Sequence, residues 1–422
     1  MSRVAVESLG CKLNQAETQS MALQFLDRGY QLTQSAREAD IYVLNTCTVT
    51  HVADRKTRQS LRSARRANPD ALIIAIGCYV ERAPEELSQW GIVDLALGNK
   101  EKDRVVETIE ATDKLKNKKA EKPKGCSQSR TRSLIKIQEG CDSFCSFCIV
   151  PYTRGREQSR PPEEVLHEIE KRMAVGYREV VLTGSKIGAY RWNGEGPSSL
   201  PCLVRQIMER TGVERLRLSS IQPHDLAPEL LKLWADDRLC PHLHMPLQSG
   251  CQAVLQRMNR PYSIAEYERV VSLAREAISD LAITTDIVVG FPGESEREFE
   301  ESYGFCQRMG FANIHVFPYS ARVGTAAATM PHQVGEKVKK DRSRRMLALA
   351  RQSQQRFRER FLGRYTTVLW ESRLDETAWS GLTPNYLRVY TRSDHDLTNR
   401  LLKTRLLSSS EPGLLGEICE GG

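Results

Sequence analysis

The sequence predicts an α/β protein in three parts: an N-terminal open parallel sheet, a central partial (β/α)6 barrel and a small C-terminal all-β barrel. Three observations lead there. Short apolar runs alternate with helical stretches over the first hundred residues and again from Ser133 to Phe317, the rhythm of parallel strands joined by crossover helices. After Gly363 the pattern changes to branched and aromatic residues on either side of Thr383-Pro384-Asn385, a turn signal between strands. At 422 residues the chain exceeds the usual size of one domain, so more than one core is expected.

The first part, residues 1–112, repeats one unit three times. Val4-Ala5-Val6 precedes Cys11, the run 41–44 precedes Cys47, and the run 71–76 precedes Cys78, with helical stretches near 15–28 and 52–67 between them. In an open parallel sheet ligands gather beyond the carboxyl ends of the strands, which is where all three cysteines fall. They can therefore converge on one centre although 36 and 31 positions separate them. The alternative is three buried strand-end cysteines, since free cysteine is among the most buried residue types.

Residues 113–132 follow, with eight Lys or Arg against Asp113 and Glu121. This composition reads as an exposed linker, or as an arm that touches RNA. Cys126 lies inside it, outside every motif.

The central part, 133–360, contains six strand-like runs at 133–138, 179–182, 215–219, 242–247, 282–289 and 312–317. Six such units imply a partial parallel barrel with reactive groups at its carboxyl-end mouth. On that face the first strand delivers Cys141, Cys145 and Cys148. Later strand ends bring Gly184, Ser219 and Ser220, Gln248 and Gly290. Residues 336–360 form a long helix carrying ten Lys or Arg against three acidic residues, with Met346, Leu349, Ala350 and Phe357 as the line that docks it. Its basic side is a solvated face or a phosphate contact. The remaining 361–422 form the small β module. Cys202, Cys240, Cys251 and Cys306 match no cluster position and read as packing residues, and Cys419 has no assignment.

Three thiols within eight residues, Cys141, Cys145 and Cys148, can hold one metal centre and little else. Structural zinc wants a fourth protein ligand, and the nearest candidate, His167, belongs to the following helix. An odd trio leaves one thiol over in any disulfide scheme, and nothing marks the chain as secreted. Three ligands suit a 4Fe-4S cube whose fourth iron is left open for a group that is not protein.

The three-then-two spacing, with Phe147 before the last cysteine, resembles the signature of the radical S-adenosylmethionine superfamily. The flanking Ile135-Lys136-Ile137-Gln138-Glu139-Gly140 and Ile149-Val150-Pro151-Tyr152-Thr153-Arg154-Gly155-Arg156 resemble its methylthiotransferases. Leu9-Gly10-Cys11-Lys12-Leu13-Asn14-Gln15, Asn45-Thr46-Cys47-Thr48-Val49-Thr50 and Ile76-Gly77-Cys78-Tyr79 are similar to the N-terminal domain of that family, and within it to the branch acting on N6-threonylcarbamoyladenosine beside the tRNA anticodon. The resemblance implies a second 4Fe-4S cluster on Cys11, Cys47 and Cys78. It implies S-adenosylmethionine among Phe147, Gly184, Ser219, Ser220, Gln248 and Gly290, no catalytic side chain beyond the cluster ligands, and a TRAM-like RNA-binding module at the C-terminus. Its partners are tRNA, an electron donor such as flavodoxin or ferredoxin, and a sulfur source. One departure is Gln222, where the branch commonly carries glutamate; losing that carboxylate removes a charge-assisted contact.

Composition agrees with these expectations. The net charge of +8 allows a polyanionic partner. Twelve cysteines without a secretory leader predict a reducing, cytoplasmic setting, and no apolar run reaches the length of a membrane span. The rival readings are a sister methylthiotransferase acting on isopentenyladenosine or a ribosomal protein, an iron-sulfur electron carrier, and a non-catalytic RNA-binding protein with a structural metal.

Overall fold

A computed structural model describes residues 2–111, 131–196 and 198–419. The linker expectation for 113–132, with Cys126, lies outside the described residues except for Thr131 and Arg132.

The N-terminal sheet holds five parallel strands, β1 (Arg3–Ser8), β2 (Gln31–Leu32), β3 (Ile41–Thr46), β4 (Leu72–Gly77) and β5 (Leu95–Leu97), in the order β2-β1-β3-β4-β5. β3 and β4 are buried at every residue, as their unbroken apolar runs require of strands covered on both faces. The chain leaves β1 through the helix Lys12–Asp27 to one side, then returns to lay β3 on the other side. The order therefore reverses between β1 and β3, which opens a crevice at their carboxyl ends. The second helix, His51–Ala67, starts where Thr50 Oγ1 accepts from the Ala53 amide at 3.1 Å.

The central part contains β6 (Arg132–Lys136), a short antiparallel pair β7 (Gln138–Glu139) and β8 (Gln158–Ser159), then β9 (Glu179–Thr183), β10 (Arg215–Leu218), β11 (His242–His244), β12 (Ala282–Val289) and β13 (Asn313–Pro318). The sets β6-β9-β10 and β11-β12-β13 are parallel, and bridges Leu216 to Leu239 and Ser220 to His244 join them into one curved wall. Six strands in sequence order make the expected partial barrel. β11 is shorter than the run 242–247 suggested, because Met245 donates its amide to Thr284 O at 2.8 Å and the chain then turns into the loop bearing Gln248.

The helix Glu336–Glu359 packs on β13 and buries Met346, Leu349, Ala350 and Phe357 as expected. Part of its charge is spent on the body: Arg342 pairs with Glu294 at 2.8 Å, and Arg345 with Glu296 at 2.8 Å. Beyond it β14 (Tyr365–Arg373), β15 (Ala378–Leu382), β16 (Arg388–Arg392), β17 (Leu401–Ser410) and β18 (Gly413–Ile418) close into a barrel in the order β14-β15-β16-β18-β17. This module caps the amino-terminal end of the central barrel. Asn385 Nδ2 donates to Asp280 O ahead of β12 at 3.2 Å, Arg132 pairs with Glu371 at 2.5 Å, and Arg215 Nη1 donates to Leu382 O at 3.0 Å. No helix among the described residues is long and apolar enough to cross a membrane.

Candidate active site

Cys11 caps the helix that leaves β1, Cys47 follows β3, and Cys78 opens the short helix after β4, so all three stand at the carboxyl ends of adjacent strands. Backbone polar groups tie the three loops together. Asn14 Nδ2 donates to Leu9 O and Thr46 O, both at 2.8 Å, joining the Cys11 and Cys47 loops. Thr46 Oγ1 donates to Ile76 O at 2.7 Å and accepts from the Tyr79 amide at 3.1 Å, joining Cys47 to Cys78. Gly10 is close to obligatory: its φ is +92°, and a Cβ there would lie 2.5 Å from Cys47 Sγ. Burial pushes the Cys47 thiol up to about 12, and the neighbouring Cys11 and Cys78 thiols add to the shift.

The second trio sits on the loop between β7 and the helix Val150–Arg154. Its fold is pinned from several sides: the Cys141 amide donates to Gly155 O at 3.1 Å, the Ser146 amide to Met258 O at 3.0 Å, and Arg260 Nη1 reaches Cys145 Sγ at 3.1 Å. Burial pushes the Cys148 thiol to about 12, with Cys145 and Cys141 adding to it. Cys145 is buried and Cys141 and Cys148 are partly exposed, so the loop offers its sulfurs toward a bound group.

The trios share one neighbourhood. Arg154, the last residue of the helix that follows the second trio, donates to Glu17 at 2.8 Å, to Asn14 at 2.5 Å and to Glu139 at 2.5 Å. Asn99 Nδ2 donates to Thr153 O at 2.6 Å and lies 3.6 Å from Cys78 Sγ. On the other flank Arg322, after β13, donates to Asp54 at 2.6 Å and to Thr48 at 3.0 Å, holding the Cys47 loop against the central barrel.

A cavity of about 630 Å³ occupies the barrel lumen. Its wall includes Cys11, Lys12, Gly184, Ser219, Ser220 and Asp286. That volume suits a modified nucleoside. Of the residues expected near S-adenosylmethionine, Gly184, Ser219 and Ser220 line this cavity together with Cys11. Phe147 instead packs in an apolar cluster, its ring 6.4 Å from that of Phe291, next to Gly290. Gln248 is left-handed at φ +72° and bridges β12 through its backbone, donating to Asp286 O at 2.8 Å and accepting from the Val288 amide at 2.8 Å. Gln222 lies outside the cavity wall, and its Oε1 accepts from Arg260.

Sequence reasoning missed several lumen groups. His244 Nε2 lies 3.2 Å from Asp286 Oδ2, and with His315 these ligand atoms fall within 4.8 Å of one another. Among the described residues this is the group gathered at single-ion spacing. Tyr386, from the C-terminal barrel, plugs the floor of the lumen. Its ring stacks on His242 at 4.8 Å, lies under Arg217 at 4.5 Å, and its hydroxyl accepts from Arg132 at 2.9 Å. Burial raises the Tyr386 phenol, but Arg132, Lys12 and Arg217 outweigh it and hold the group below its ordinary value. Alternating inward positions on β11 and β12 could have flagged His242, His244 and Asp286; no local pattern points to Tyr386.

Residues 3–98 match Uncharacterized protein family UPF0004, and residues 135–306 match the Radical SAM superfamily. The chain is 36% identical over 433 residues to a threonylcarbamoyladenosine tRNA methylthiotransferase, MtaB, of Bacillus subtilis, covering 98% of this chain and 95% of that one. The MtaB of Aquifex aeolicus is 36% identical over 402 residues, covering 92% and 96%. A tRNA-2-methylthio-N(6)-dimethylallyladenosine synthase of Clostridium botulinum is 31% identical over 434 residues, covering 98% and 95%. Among solved structures, the radical S-adenosylmethionine methyltransferase TsrM of Kitasatospora setae superposes with a TM-score of 0.55 at 16% identity, over 78% of this chain and 75% of that one, which speaks for the fold alone. With its two cysteine trios tied to one another through Arg154 and Asn99, and its sequence alike over nearly its whole length to these relatives, the chain belongs to the radical S-adenosylmethionine methylthiotransferase family, in its MtaB branch.

Proposed function

We infer that this protein attaches a methylthio group to carbon 2 of N6-threonylcarbamoyladenosine beside the tRNA anticodon. The observation that carries the reading is the placement of Cys11 in the wall of the lumen onto which Gly184, Ser219 and Ser220 open. In this reading Cys141, Cys145 and Cys148 hold one 4Fe-4S cluster, and Cys11, Cys47 and Cys78 hold a second. Three cysteines to a cube would leave one iron of each open to a ligand that is not protein. Phe147, Gly184, Ser219, Ser220, Gln248 and Gly290 would hold S-adenosylmethionine.

The target C–H bond has no useful acidity, so acid-base groups cannot open it; bound cluster and S-adenosylmethionine supply the radical chemistry that can. The side chains then act as positioners. Arg154 and Arg322 fix the N-terminal sheet against the barrel, so the distance between the trios is set by buried polar contacts. Tyr386 closes the lumen floor against water. An electron donor and a sulfur source complete the reaction.

The test is anaerobic reconstitution followed by iron and sulfide analysis, then mass analysis of nucleosides from tRNA treated with the reduced protein. About eight irons per chain are expected from two cubes. The Cys47→Ala variant should keep about half of them, still cleave S-adenosylmethionine, and make no methylthiolated nucleoside. Product on isopentenyladenosine and none on threonylcarbamoyladenosine would assign the chain to the sister activity.

A further inference from the structure

The charged groups around the lumen pair off, with two exceptions. Arg217 lies 2.8 Å and Arg215 3.8 Å from the Glu179 carboxylate. Arg132 and Arg388 share Glu371 at 2.5 and 2.9 Å. Asp286 is engaged by His244. Lys12 is left over. It lines the cavity beside Cys11, its ammonium 5.8 Å from the Tyr386 ring centre, with no carboxylate within ion-pair distance among the described residues. The second exception is Arg358, 7% exposed, on the wall formed by the helix Glu336–Glu359; its Nε has no hydrogen-bond partner.

A desolvated cation without a counter-charge is costly, and two such cations facing one cavity are what a site for an anion needs. Asp286 lines the same cavity, yet it lies beyond ion-pair distance of Lys12 and is engaged by His244. A carboxylate placed against Lys12 would relieve this imbalance. Tyr386 closes the cavity beside Lys12, so an anion reaches the lysine by projecting in from the mouth, as the substituent of a base does. Lys12 follows directly on Cys11, so an anion on Lys12 lies close to the trio of the N-terminal sheet. Arg358 stands on another wall, with Phe357 and Leu387.

We propose that Lys12 binds the carboxylate of the threonylcarbamoyl substituent and so selects an acidic N6 group over an apolar one. This rests on the reading that threonylcarbamoyladenosine is the substrate. The lysine acts as a specificity group: it holds the substituent in the lumen and thereby sets where the adenine ring stands relative to Cys11. Asp286, braced by His244, faces the same cavity and offers an acceptor for the hydroxyl of the threonyl group.

The experiment uses reconstituted full-length protein and two anticodon stem-loop RNAs that differ at one atom group: one carries threonylcarbamoyladenosine, the other its methyl ester. Binding is read by fluorescence anisotropy, so the shared backbone contribution cancels. The unaltered protein should prefer the acid by roughly 10- to 100-fold, the range of one charge-assisted contact. Lys12→Met should bind acid and ester equally while retaining both clusters by iron count and cleaving S-adenosylmethionine; Lys12→Arg should keep the preference. Equal binding of acid and ester by the unaltered protein would overturn the proposal even if methylthiolated product forms, which leaves the substrate reading standing. Persistence of the preference in Lys12→Met, or its loss only in Arg358→Met, would also overturn it. Failure of the unaltered protein to modify the acid RNA at all would instead remove the substrate reading.

Discussion

The Arg154 guanidinium donates to the Glu17 carboxylate at 2.8 Å, both side chains almost fully buried, and through this pair the loop of the second cysteine trio is fastened to the sheet that carries the first. Glu17 also takes Lys102 at 2.6 Å, and Arg154 also takes Asn14 and Glu139, so the two parts share one polar network. Removing one partner of a buried pair leaves an uncompensated charge and costs about 3–5 kcal/mol. Arg154→Met should therefore lower the thermal midpoint markedly and cut methylthiolation more than S-adenosylmethionine cleavage, because the second trio's loop keeps its other anchors. Equal loss of both activities with an unchanged midpoint would show that the pair does not set the spacing between the trios.

The same network fixes a pH dependence. Burial alone would raise the Glu17 carboxyl, but Lys102 and Arg154, helped by Lys136, reverse this and hold it well below its ordinary 4.5. A carboxyl with a depressed folded value contributes stability that is fully present above its unfolded value and lost as pH falls toward the folded one. The midpoint of the unaltered protein should thus be level near neutrality and fall as pH drops below about 4.5. Glu17→Gln should start lower at neutral pH and lose less on acidification. Parallel curves for the two proteins would count against the assignment.

Gly10 supplies a prediction that separates the two trios. With φ at +92° and a hypothetical Cβ 2.5 Å from Cys47 Sγ and 2.6 Å from Cys47 Cβ, alanine cannot be placed without pushing a short, buried side chain away. Gly10→Ala should resemble Cys47→Ala: about half of the iron lost, S-adenosylmethionine cleavage kept, methylthiolation abolished. Full iron content in the variant would mean that the Cys47 loop yields more easily than its ties to Asn14 and Thr46 suggest.

Much of this architecture could be read from the chain because it is encoded locally. The trio Cys141, Cys145 and Cys148 is a spacing within eight residues, and the N-terminal cysteines follow apolar runs that became β1, β3 and β4, each strand running a little past the end of its run. Even β12 and the helix Glu336–Glu359 fell within a residue of the expected bounds. What escaped was set by docking. Arg154 and Glu17 stand 137 positions apart, and Tyr386 enters the lumen only because the C-terminal barrel seats on the strand starts of the central one. The periodicity of a single element carries no information about such pairs. Basic residues misled in the same way: the basic side of the helix Glu336–Glu359 reads in sequence as a solvated face or a phosphate contact, yet Arg342 and Arg358 are buried.

Gln222 gives the last prediction, since the structure places it where its departure from the usual glutamate has a consequence. Its Oε1 accepts from Arg260, and the same guanidinium reaches Cys145 Sγ at 3.1 Å, so charge at 222 acts on the second trio through one intervening group. An amide leaves the positive charge of Arg260 uncompensated beside the sulfur; a carboxylate would offset it. Positive charge near a cluster favours the reduced state, so Gln222→Glu should lower the reduction potential of the bound cluster, by an amount on the order of tens of millivolts for one half-buried charge at this range. Cleavage of S-adenosylmethionine at a fixed reductant potential should slow accordingly. The measurement is a redox titration followed by electron paramagnetic resonance, made in a Cys47→Ala background so that only one cluster contributes. An unchanged potential would mean that Arg260 is screened from the cluster or that the added carboxylate turns away from it, and a rise would overturn the assignment.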